Sequence, residues 1–206
     1  RLGATSDTDD AAGQVTERAV ESIPPEEMVL DRLKEFVGTI EQVPPDYSAA
    51  HVNGRRAYQQ ARRGREVELA ARSITVERIE LLNYDYPYLD VEIDCGKGTY
   101  IRSLARDLGE ILGCGGLVQE LRRTRIGPFV PEMGLTDFTK RALADGLIPM
   151  ELAVEHLPIR VLSDFDIQQL KFGQFLECES TLPVGQEYRL HDSVGELHGI
   201  GYVHEP

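Results

Sequence analysis

Residues 88–116 read YLDVEIDCGKGTYIRSLARDLGEILGCGG, and the spacing of their apolar side chains changes halfway along. Up to Cys95, apolar residues alternate with aspartate and glutamate, which is the period of a β-strand with one buried face. From Ile101 onward the apolar residues follow helical spacing, and glycines at 113, 115 and 116 end the run. The stretch therefore predicts a strand, a tight turn and an amphipathic helix in direct succession.

The junction between the predicted strand and helix carries Lys97, Tyr100 and Arg102. Such a junction favours anions, because the first N–H groups of a helix are unpaired and lie at the positive end of its dipole. We considered a solvated turn, a nucleotide-binding P-loop and an active-site or phosphate-contacting edge. The P-loop fails on spacing, because Val91 occupies the position of its upstream glycine and Gly98 follows the lysine. The other two interpretations stay open.

The net charge of −13 argues at first against a nucleic-acid partner, because phosphate binding draws on lysine and arginine. The distribution of the charge reverses part of that inference. One basic cluster comprises Arg55, Arg56, Arg62, Arg63, Arg65 and Arg72. A second comprises Lys97, Arg102, Arg106, Arg122, Arg123 and Arg125. Two basic clusters in an acidic chain predict a localised anionic ligand, although each cluster alone is also compatible with a solvated face.

The 206 residues are enough for one main domain with a small appendage. No apolar run is long enough to span a bilayer, and the first residues lack the basic and apolar parts of a signal peptide, so we expect a cytoplasmic protein with no membrane partner. Cys95, Cys114 and Cys178 form no Cys-x-x-Cys pair, which predicts buried, reduced thiols. The histidines lack zinc-finger spacing, which predicts no metal site.

The order of the predicted elements is that of a mixed α+β domain. A helix follows Pro24, a shorter one spans residues 57–63, and a strand from Ser73 forms a hairpin or a meander with residues 88–95. Residues 116–125 predict a further helix, which a glycine-proline pair ends. In the remaining chain short helices precede short strands, and this order predicts a small β-rich module.

Six segments carry a resemblance, and they are RLGATSDTDDAAG (1–13), FVGTIEQVPPDYSA (36–49), GRRAYQQARRGREV (54–67), CGKGTYIRSLARDLGEILGCGG (95–116), LRRTRIGPF (121–129) and LPIRVLSDFDIQQLKFGQFL (157–176). In this order they resemble the TruB-type tRNA pseudouridine-55 synthases. The resemblance implies an α+β fold, in which a mixed sheet with flanking helices is followed by a small β-rich PUA-like module. It implies part of a catalytic domain at residues 1–133, a helical connector at 134–156 and an RNA-binding module at 157–206.

The resemblance also implies an isomerase, an intramolecular transferase that flips a uridine out of the T loop of tRNA, cleaves its N-glycosidic bond and rejoins the base at C5. It implies a monomer that acts on the T arm without a metal or organic cofactor. In similar proteins Arg102 matches the arginine that pairs with the nucleophilic aspartate, Tyr100 a tyrosine of the pocket, and Leu121 the apolar residue beside the target uridine. The predicted RNA contacts are Lys97, His51, Arg55, Arg56, Arg62, Arg63, Arg122, Arg123 and Arg125.

The chain departs from the family pattern at the nucleophile. The family's aspartate lies in a Gly-Thr/Ala-Leu-Asp-Pro segment upstream of the motif that begins here at Arg1, and the 206 residues contain no such segment. Asp7, Asp9 and Asp10 match the family's Thr-Asp-Thr segment and not its nucleophile. We therefore expect these residues alone to be inactive. His51 stands where the family commonly has lysine, which predicts a weaker or pH-dependent phosphate contact.

Two alternative functions stay open at this stage. One is a non-catalytic tRNA-binding or RNA-folding module that keeps only the RNA-contacting surface. The other is the catalytic subunit of a guide-RNA-dependent rRNA pseudouridine synthase, which shares the GTYIR and LRR segments. An aspartate-bearing segment upstream in the complete gene product would favour the stand-alone enzyme, whereas a natural start at Arg1 would favour the binding module.

Overall fold

The computed structural model describes residues 1–48, 69–177 and 182–204 in full, and residues 51–52 and 55–56 by their backbone alone. The helix predicted at residues 57–63 lies outside the described residues. The chain divides into two compact units, Arg1–Arg122 and Arg123–Pro206. Within the described residues, each helix is too short or too polar to cross a membrane.

A three-stranded antiparallel sheet forms the centre of the first unit, with the strand order β3, β6, β7. These strands are β3 (Gly38–Gln42), β6 (Arg72–Asp85) and β7 (Tyr88–Cys95). β6 and β7 form the hairpin that the sequence predicts, so that prediction is confirmed. The register places Ile40 beside Ile74 on one side of β6.

Two helices pack against this sheet, α1 (Glu26–Lys34) and α2 (Ile101–Ile111). Their shared core consists of Val29, Leu33, Phe36, Ile74, Val76, Leu104 and Leu108. The alternating apolar residues of β7 pack against the same core, namely Leu89, Val91 and Ile93. Burial of such a side chain stabilises the fold by about 1.5–3 kcal/mol, so this cluster fixes α2 on the sheet.

Local composition explains where both helices begin and end. α1 follows Pro25, and Glu26 and Glu27 in its first turn lie at the positive end of the helix dipole. α2 is followed by Gly113, whose φ is +71°. Glycine adopts this left-handed conformation without the steric cost that a Cβ would add, so the chain can turn back after the helix.

A smaller antiparallel pair in the first unit consists of β1 (Ala4–Ser6) and β2 (Val15–Glu17), joined by the loop of residues 7–14. The segment that follows α2 runs beside this pair, with isolated bridges from Gly116 to Leu2 and from Val118 to Asp10. A Cβ on Gly109 of α2 would lie 2.1 Å from the backbone nitrogen of Gly116, so the helix and the segment meet backbone to backbone. A further short pair joins β4 (His51–Val52) to β5 (Arg55–Arg56).

The helix predicted at residues 116–125 is wrong, because the structure has no helix there. The backbone N–H of Leu117 donates to the Arg1 carbonyl at 3.0 Å, and that of Val118 donates to the Asp9 carbonyl at 3.0 Å. Leu117 is fully buried. These long-range hydrogen bonds satisfy the backbone groups without a helix, and the burial of Leu117 stabilises this arrangement. The spacing of residues within the segment reveals neither effect.

The described cysteines differ in exposure. Cys114 is buried, as predicted, whereas Cys95 is exposed, so the prediction of a buried thiol is wrong for that residue. Cys95 is the last residue of β7, and the core that packs against Leu89, Val91 and Ile93 of this strand does not include it. Cys178 lies outside the described residues.

The second unit contains short helices, the last of which follows a strand at Ile159–Val161. A 3₁₀ turn at Pro131–Met133 is followed by α3 (Lys140–Asp145), α4 (Glu151–Val154) and α5 (Asp164–Lys171). α5 opens with a reciprocal capping box, in which Ser163 and Asp166 each bond the backbone N–H of the other.

A mixed three-stranded sheet completes the second unit, with β9 (Glu187–His191) between β8 (Ile159–Val161) and β10 (Leu197–Tyr202). β8 and β9 are parallel, and β9 and β10 are antiparallel. Helices and sheets occur together in each unit, so the predicted α+β class is confirmed.

Candidate active site

The junction between β7 and α2 has the tight turn that the sequence predicts. Gly98 has a φ of +85°, and the Thr99 hydroxyl donates to the Gly96 carbonyl at 3.0 Å. Tyr100 is the N-cap residue of α2, and the amide of Gln42 bonds its backbone twice. Gln42 Oε1 accepts from the Tyr100 N–H at 2.8 Å, and Gln42 Nε2 donates to the Tyr100 carbonyl at 3.1 Å. A buried side chain at the end of β3 therefore fixes the start of α2.

The guanidinium of Arg102 is held by three acceptors from two loops. Its Nη1 donates to the Thr8 carbonyl at 2.9 Å and to Asp10 Oδ2 at 3.1 Å, and its Nη2 donates to the Tyr47 carbonyl at 3.0 Å. The side chain is 23% exposed, so most of it is buried. Arg102 is therefore oriented by the protein before any ligand binds.

Asp10 is itself oriented by its neighbours. Its Oδ1 accepts from the Thr8 hydroxyl at 2.7 Å and from the Ala12 N–H at 3.0 Å, which leaves Oδ2 for Arg102. Burial raises the pKa of the Asp10 carboxyl, but the hydrogen bonds from Thr8 and Ala12 and the charge of Arg102 outweigh burial, so the pKa lies below its ordinary value. Asp10 is therefore a carboxylate at neutral pH.

A second arginine lies one helical turn beyond Arg102. Arg106 Nη1 lies 3.0 Å from Asp9 Oδ2, Nη2 donates to the Val43 carbonyl at 3.0 Å, and Nε donates to Asp107 Oδ1 at 2.8 Å. Burial raises the pKa of the Asp9 carboxyl, and the charge of Arg106 offsets only part of that rise. The Ser103 hydroxyl also donates to the Val43 carbonyl, at 2.8 Å.

The predicted site residues of the first unit with described side chains are Lys97, Tyr100, Arg102, Leu121 and Arg122. Tyr100 and Arg102 lie together at the junction. Lys97 is exposed in the turn before them, and Leu121 is 63% exposed near the end of the first unit. Arg122 is exposed as well. The predicted place of Leu121 beside the uridine stays a prediction.

Two predicted RNA contacts lie in the second unit, where Arg123 and Arg125 line an open cavity of about 330 Å³ together with Ile126, Phe129, Val130 and Pro131. The remaining predicted contacts lie where the structure describes no side chains, and they are His51, Arg55, Arg56, Arg62 and Arg63.

Sequence reasoning missed Gln42, and it named Asp9, Asp10 and Arg106 without their pairing. It did not foresee that Gln42 would fix Tyr100, that Asp10 would pair with Arg102, or that Asp9 would pair with Arg106. One signal could have found the two ion pairs. Arg102 and Arg106 are four residues apart and so share one face of a helix, while Asp9 and Asp10 are adjacent in a segment already singled out.

One group of side chains in the second unit has the composition of a metal site. Asp192, Glu196 and His198 bring possible ligand atoms within 4.8 Å of one another. Asp192 already uses both oxygens, since Oδ1 accepts the N–H groups of Val194 and Glu196 and Oδ2 lies 3.2 Å from the His198 ring nitrogen. These contacts account for the cluster as a stabilised turn between two strands, and the prediction of no metal site stays a prediction.

Two protein families match this chain, one over the first unit's residues up to the strand-to-helix junction and one from Arg102 onward. Residues 1–101 match the family described as TruB family pseudouridylate synthase (N terminal domain). Residues 102–155 match the family described as tRNA pseudouridylate synthase B C-terminal domain. The chain therefore belongs to the TruB family of pseudouridylate synthases.

Curated relatives agree with this assignment. The chain is 44% identical over 186 residues to a tRNA pseudouridine synthase B of Synechococcus sp. strain CC9311, covering 84% of this chain and 62% of that protein. It is 36% identical over 212 aligned residues to the tRNA pseudouridine synthase B of Mannheimia succiniciproducens, covering 98% of this chain and 69% of that protein. The chain thus spans about two thirds of the length of these relatives.

Solved structures share the fold. A chain in a crystal structure of a Cbf5-Nop10-Gar1 complex matches with a TM-score of 0.67 and 27% identity, covering 90% of this chain and 57% of that chain. A chain in a structure of an H/ACA RNP bound to a substrate RNA containing 2'-deoxyuridine matches with a TM-score of 0.63 and 25% identity, covering 90% and 56%.

Proposed function

We propose that this protein is a tRNA pseudouridine synthase that isomerises uridine 55 in the T loop to pseudouridine. The observation that carries the proposal is the fixed guanidinium of Arg102, which lies in the Tyr-Ile-Arg segment of a chain that belongs to the TruB family. Relatives named tRNA pseudouridine synthase B supply the substrate and the reaction. The proposal extends to a monomer in the cytoplasm that acts without a metal or organic cofactor.

In the proposed reaction Arg102 orients the nucleophilic aspartate. Its three bonds to Thr8, Asp10 and Tyr47 use both Nη1 hydrogens and one Nη2 hydrogen. Among the described residues no hydrogen bond uses the Nε–H or the second Nη2–H, and an arginine can offer two such groups to another carboxylate. A carboxylate held in this way stays ionised and aimed at the flipped nucleotide, which nucleophilic attack requires.

The proposed substrate position follows from the same junction. Flipping a base requires a pocket with an apolar or aromatic wall and phosphate-binding groups beside it. Tyr100 supplies the aromatic side chain, and the exposed Lys97 precedes it by three residues in the turn. We assign Leu121 to the apolar wall of the pocket, and residues 157–206 to a PUA-like module that binds tRNA, after a catalytic part at 1–133 and a connector at 134–156.

The remaining predicted contacts with the tRNA backbone are His51, Arg55, Arg56, Arg62, Arg63, Arg122, Arg123 and Arg125. The acidic remainder of the chain would limit binding to other nucleic acids, because it repels phosphates outside the basic clusters.

The test uses the protein expressed from its complete gene and a tRNA transcript that carries tritium at C5 of its uridines. Formation of pseudouridine replaces the C5 hydrogen, so the proposed activity releases tritium to water, about one equivalent per tRNA at completion. A transcript with cytidine at position 55 is the matched control and should release none. Release that requires an added guide RNA would support the guide-dependent alternative, for which the Cbf5 structural match gives only weak support. Tight tRNA binding without release would support the non-catalytic module.

A further inference from the structure

Two arginines on α2 tie the same two loops to the helix. Arg102 bonds Thr8 and Asp10 in the β1–β2 loop and the Tyr47 carbonyl in the loop after β3. One turn later, Arg106 bonds Asp9 in the first loop and the Val43 carbonyl in the second. The two side chains therefore form parallel bridges between the same three parts of the first unit.

Asp9 is held in an unusual backbone conformation. Its φ of +59° makes it the one residue other than glycine with a positive φ among the described residues. L residues adopt this region rarely, although aspartate does so more readily than most. The Asp9 carbonyl accepts from the Val118 N–H at 3.0 Å and the carboxylate pairs with Arg106, so the main chain and the side chain of Asp9 are both fixed.

We propose that the Asp9–Arg106 ion pair is a positioning device for the active site, which holds the β1–β2 loop so that Asp10 presents Oδ2 to Arg102. Asp9 directly precedes Asp10, so a change in the backbone of Asp9 moves the Asp10 carboxylate relative to the helix. Arg106 acts through Asp9 and Asp10 and does not contact the substrate. The expected effect of the ion pair on the reaction rate rests on the proposed function. The expected effect of the ion pair on the orientation of Arg102 does not.

The apolar core should keep the first unit folded when the Asp9–Arg106 ion pair is removed. Leu104 and Leu108 anchor α2 to the sheet, and both are buried. Loss of an ion pair whose partners are partly exposed should therefore leave the unit folded. Arg106→Gln keeps a good helix former at that position, and Asp9→Asn keeps a residue that tolerates positive φ.

The first readout is the single-turnover rate of pseudouridine formation, with the protein expressed from its complete gene. We expect Arg106→Gln and Asp9→Asn each to lower the rate about tenfold, while the tRNA dissociation constant stays within about twofold. The double variant should be no slower than the worse single variant, because both substitutions break one pair. Arg106→Lys should recover part of the rate, since an ammonium can still pair with Asp9.

The matched control is Arg78→Gln. Arg78 is an arginine of β6 with three carboxylate partners, Glu80, Glu92 and Asp94, and it bonds neither Asp9 nor Asp10. Its substitution removes the same charge and more ion pairs, and it should leave the rate unchanged.

The second readout needs no activity. In protein labelled with ¹⁵N at arginine, the Nη signals of Arg102, assigned by their loss in Arg102→Lys, should be resolved because rotation of the guanidinium is hindered. In Arg106→Gln and Asp9→Asn these signals should merge through faster rotation. Unchanged Arg102 signals together with unchanged rates would overturn the inference and leave the proposed function standing. Merged signals in a protein that forms no pseudouridine would support the inference and overturn the function.

Discussion

At the scale of single residues, the structure makes the geometry of Arg102, and not its charge alone, the feature that the proposed chemistry needs. Arg102→Lys keeps the positive charge but loses the planar fork that reaches Thr8, Asp10 and Tyr47 together. We expect single-turnover pseudouridine formation to slow about a hundredfold, which corresponds to about 3 kcal/mol in the transition state. The tRNA dissociation constant should change little. A solvated arginine would change the rate and the stability by no more than about 0.5 kcal/mol, so an unchanged rate removes Arg102 from the active site.

The sequence predicts the place of Arg102 but not its partner. Strand and helix spacing on either side of the turn locate Tyr100 and Arg102 at the junction, because both patterns are local. Asp10 is 92 residues away in the chain, and only the folded first unit brings it to Arg102. The family resemblance implies that this arginine pairs with the nucleophilic aspartate, which is not among the 206 residues. The structure adds a second carboxylate partner, Asp10, from within them.

The carboxylate of Asp10 also predicts a pH dependence of stability. Because the folded protein holds the pKa of Asp10 below its ordinary value, its contribution to stability is complete above about pH 4 and is lost as the pH falls through the lowered folded pKa. We expect Asp10→Asn to lower the free energy of unfolding by about 1 kcal/mol at pH 7 and by clearly less at pH 3. Urea unfolding at the two pH values measures both differences. Asp46→Asn, at an exposed position, is the control, and an equal loss for Asp10→Asn at both pH values would contradict the assignment.

At the scale of secondary-structure elements, one side chain connects the end of β3 to the start of α2. Gln42 is 2% exposed and bonds both the N–H and the carbonyl of Tyr100. Gln42→Leu fills the same space but leaves these backbone groups without their partner. We expect a loss of about 2 kcal/mol in the free energy of unfolding, since an unpaired group away from water carries its full desolvation cost. Gln119→Leu, at an exposed position, should change the stability by less than about 0.5 kcal/mol, and an equal effect of the two substitutions would contradict this role of Gln42.

The elements themselves show what sequence spacing can and cannot predict. The predictions of β7 and α2 are correct, because the apolar residues of each element recur every two to four positions and so form a local pattern. The segment after α2 contains helix-forming residues, yet it is not helical, because the N–H groups of Leu117 and Val118 bond Arg1 and Asp9 near the start of the chain. The conformation of this segment depends on hydrogen-bond partners more than a hundred residues away in sequence, so no local pattern predicts it.

At the scale of the whole molecule, the net charge of −13 and the proposed RNA substrate are compatible only if binding is confined to the basic clusters. Affinity for tRNA should then fall steeply as salt rises, because each neutralised phosphate releases counterions. We expect Arg122→Gln combined with Arg123→Gln to reduce the slope of log affinity against log salt by about 1 to 2 units. The matched double variant Lys140→Gln with Arg141→Gln removes the same charge from an exposed helix in the second unit and should leave the slope unchanged. Fluorescence anisotropy of labelled tRNA between about 50 and 200 mM salt measures both slopes. Equal reductions would mean that the protein binds through its overall charge and not through Arg122 and Arg123, and the RNA contacts assigned to these residues would then be withdrawn.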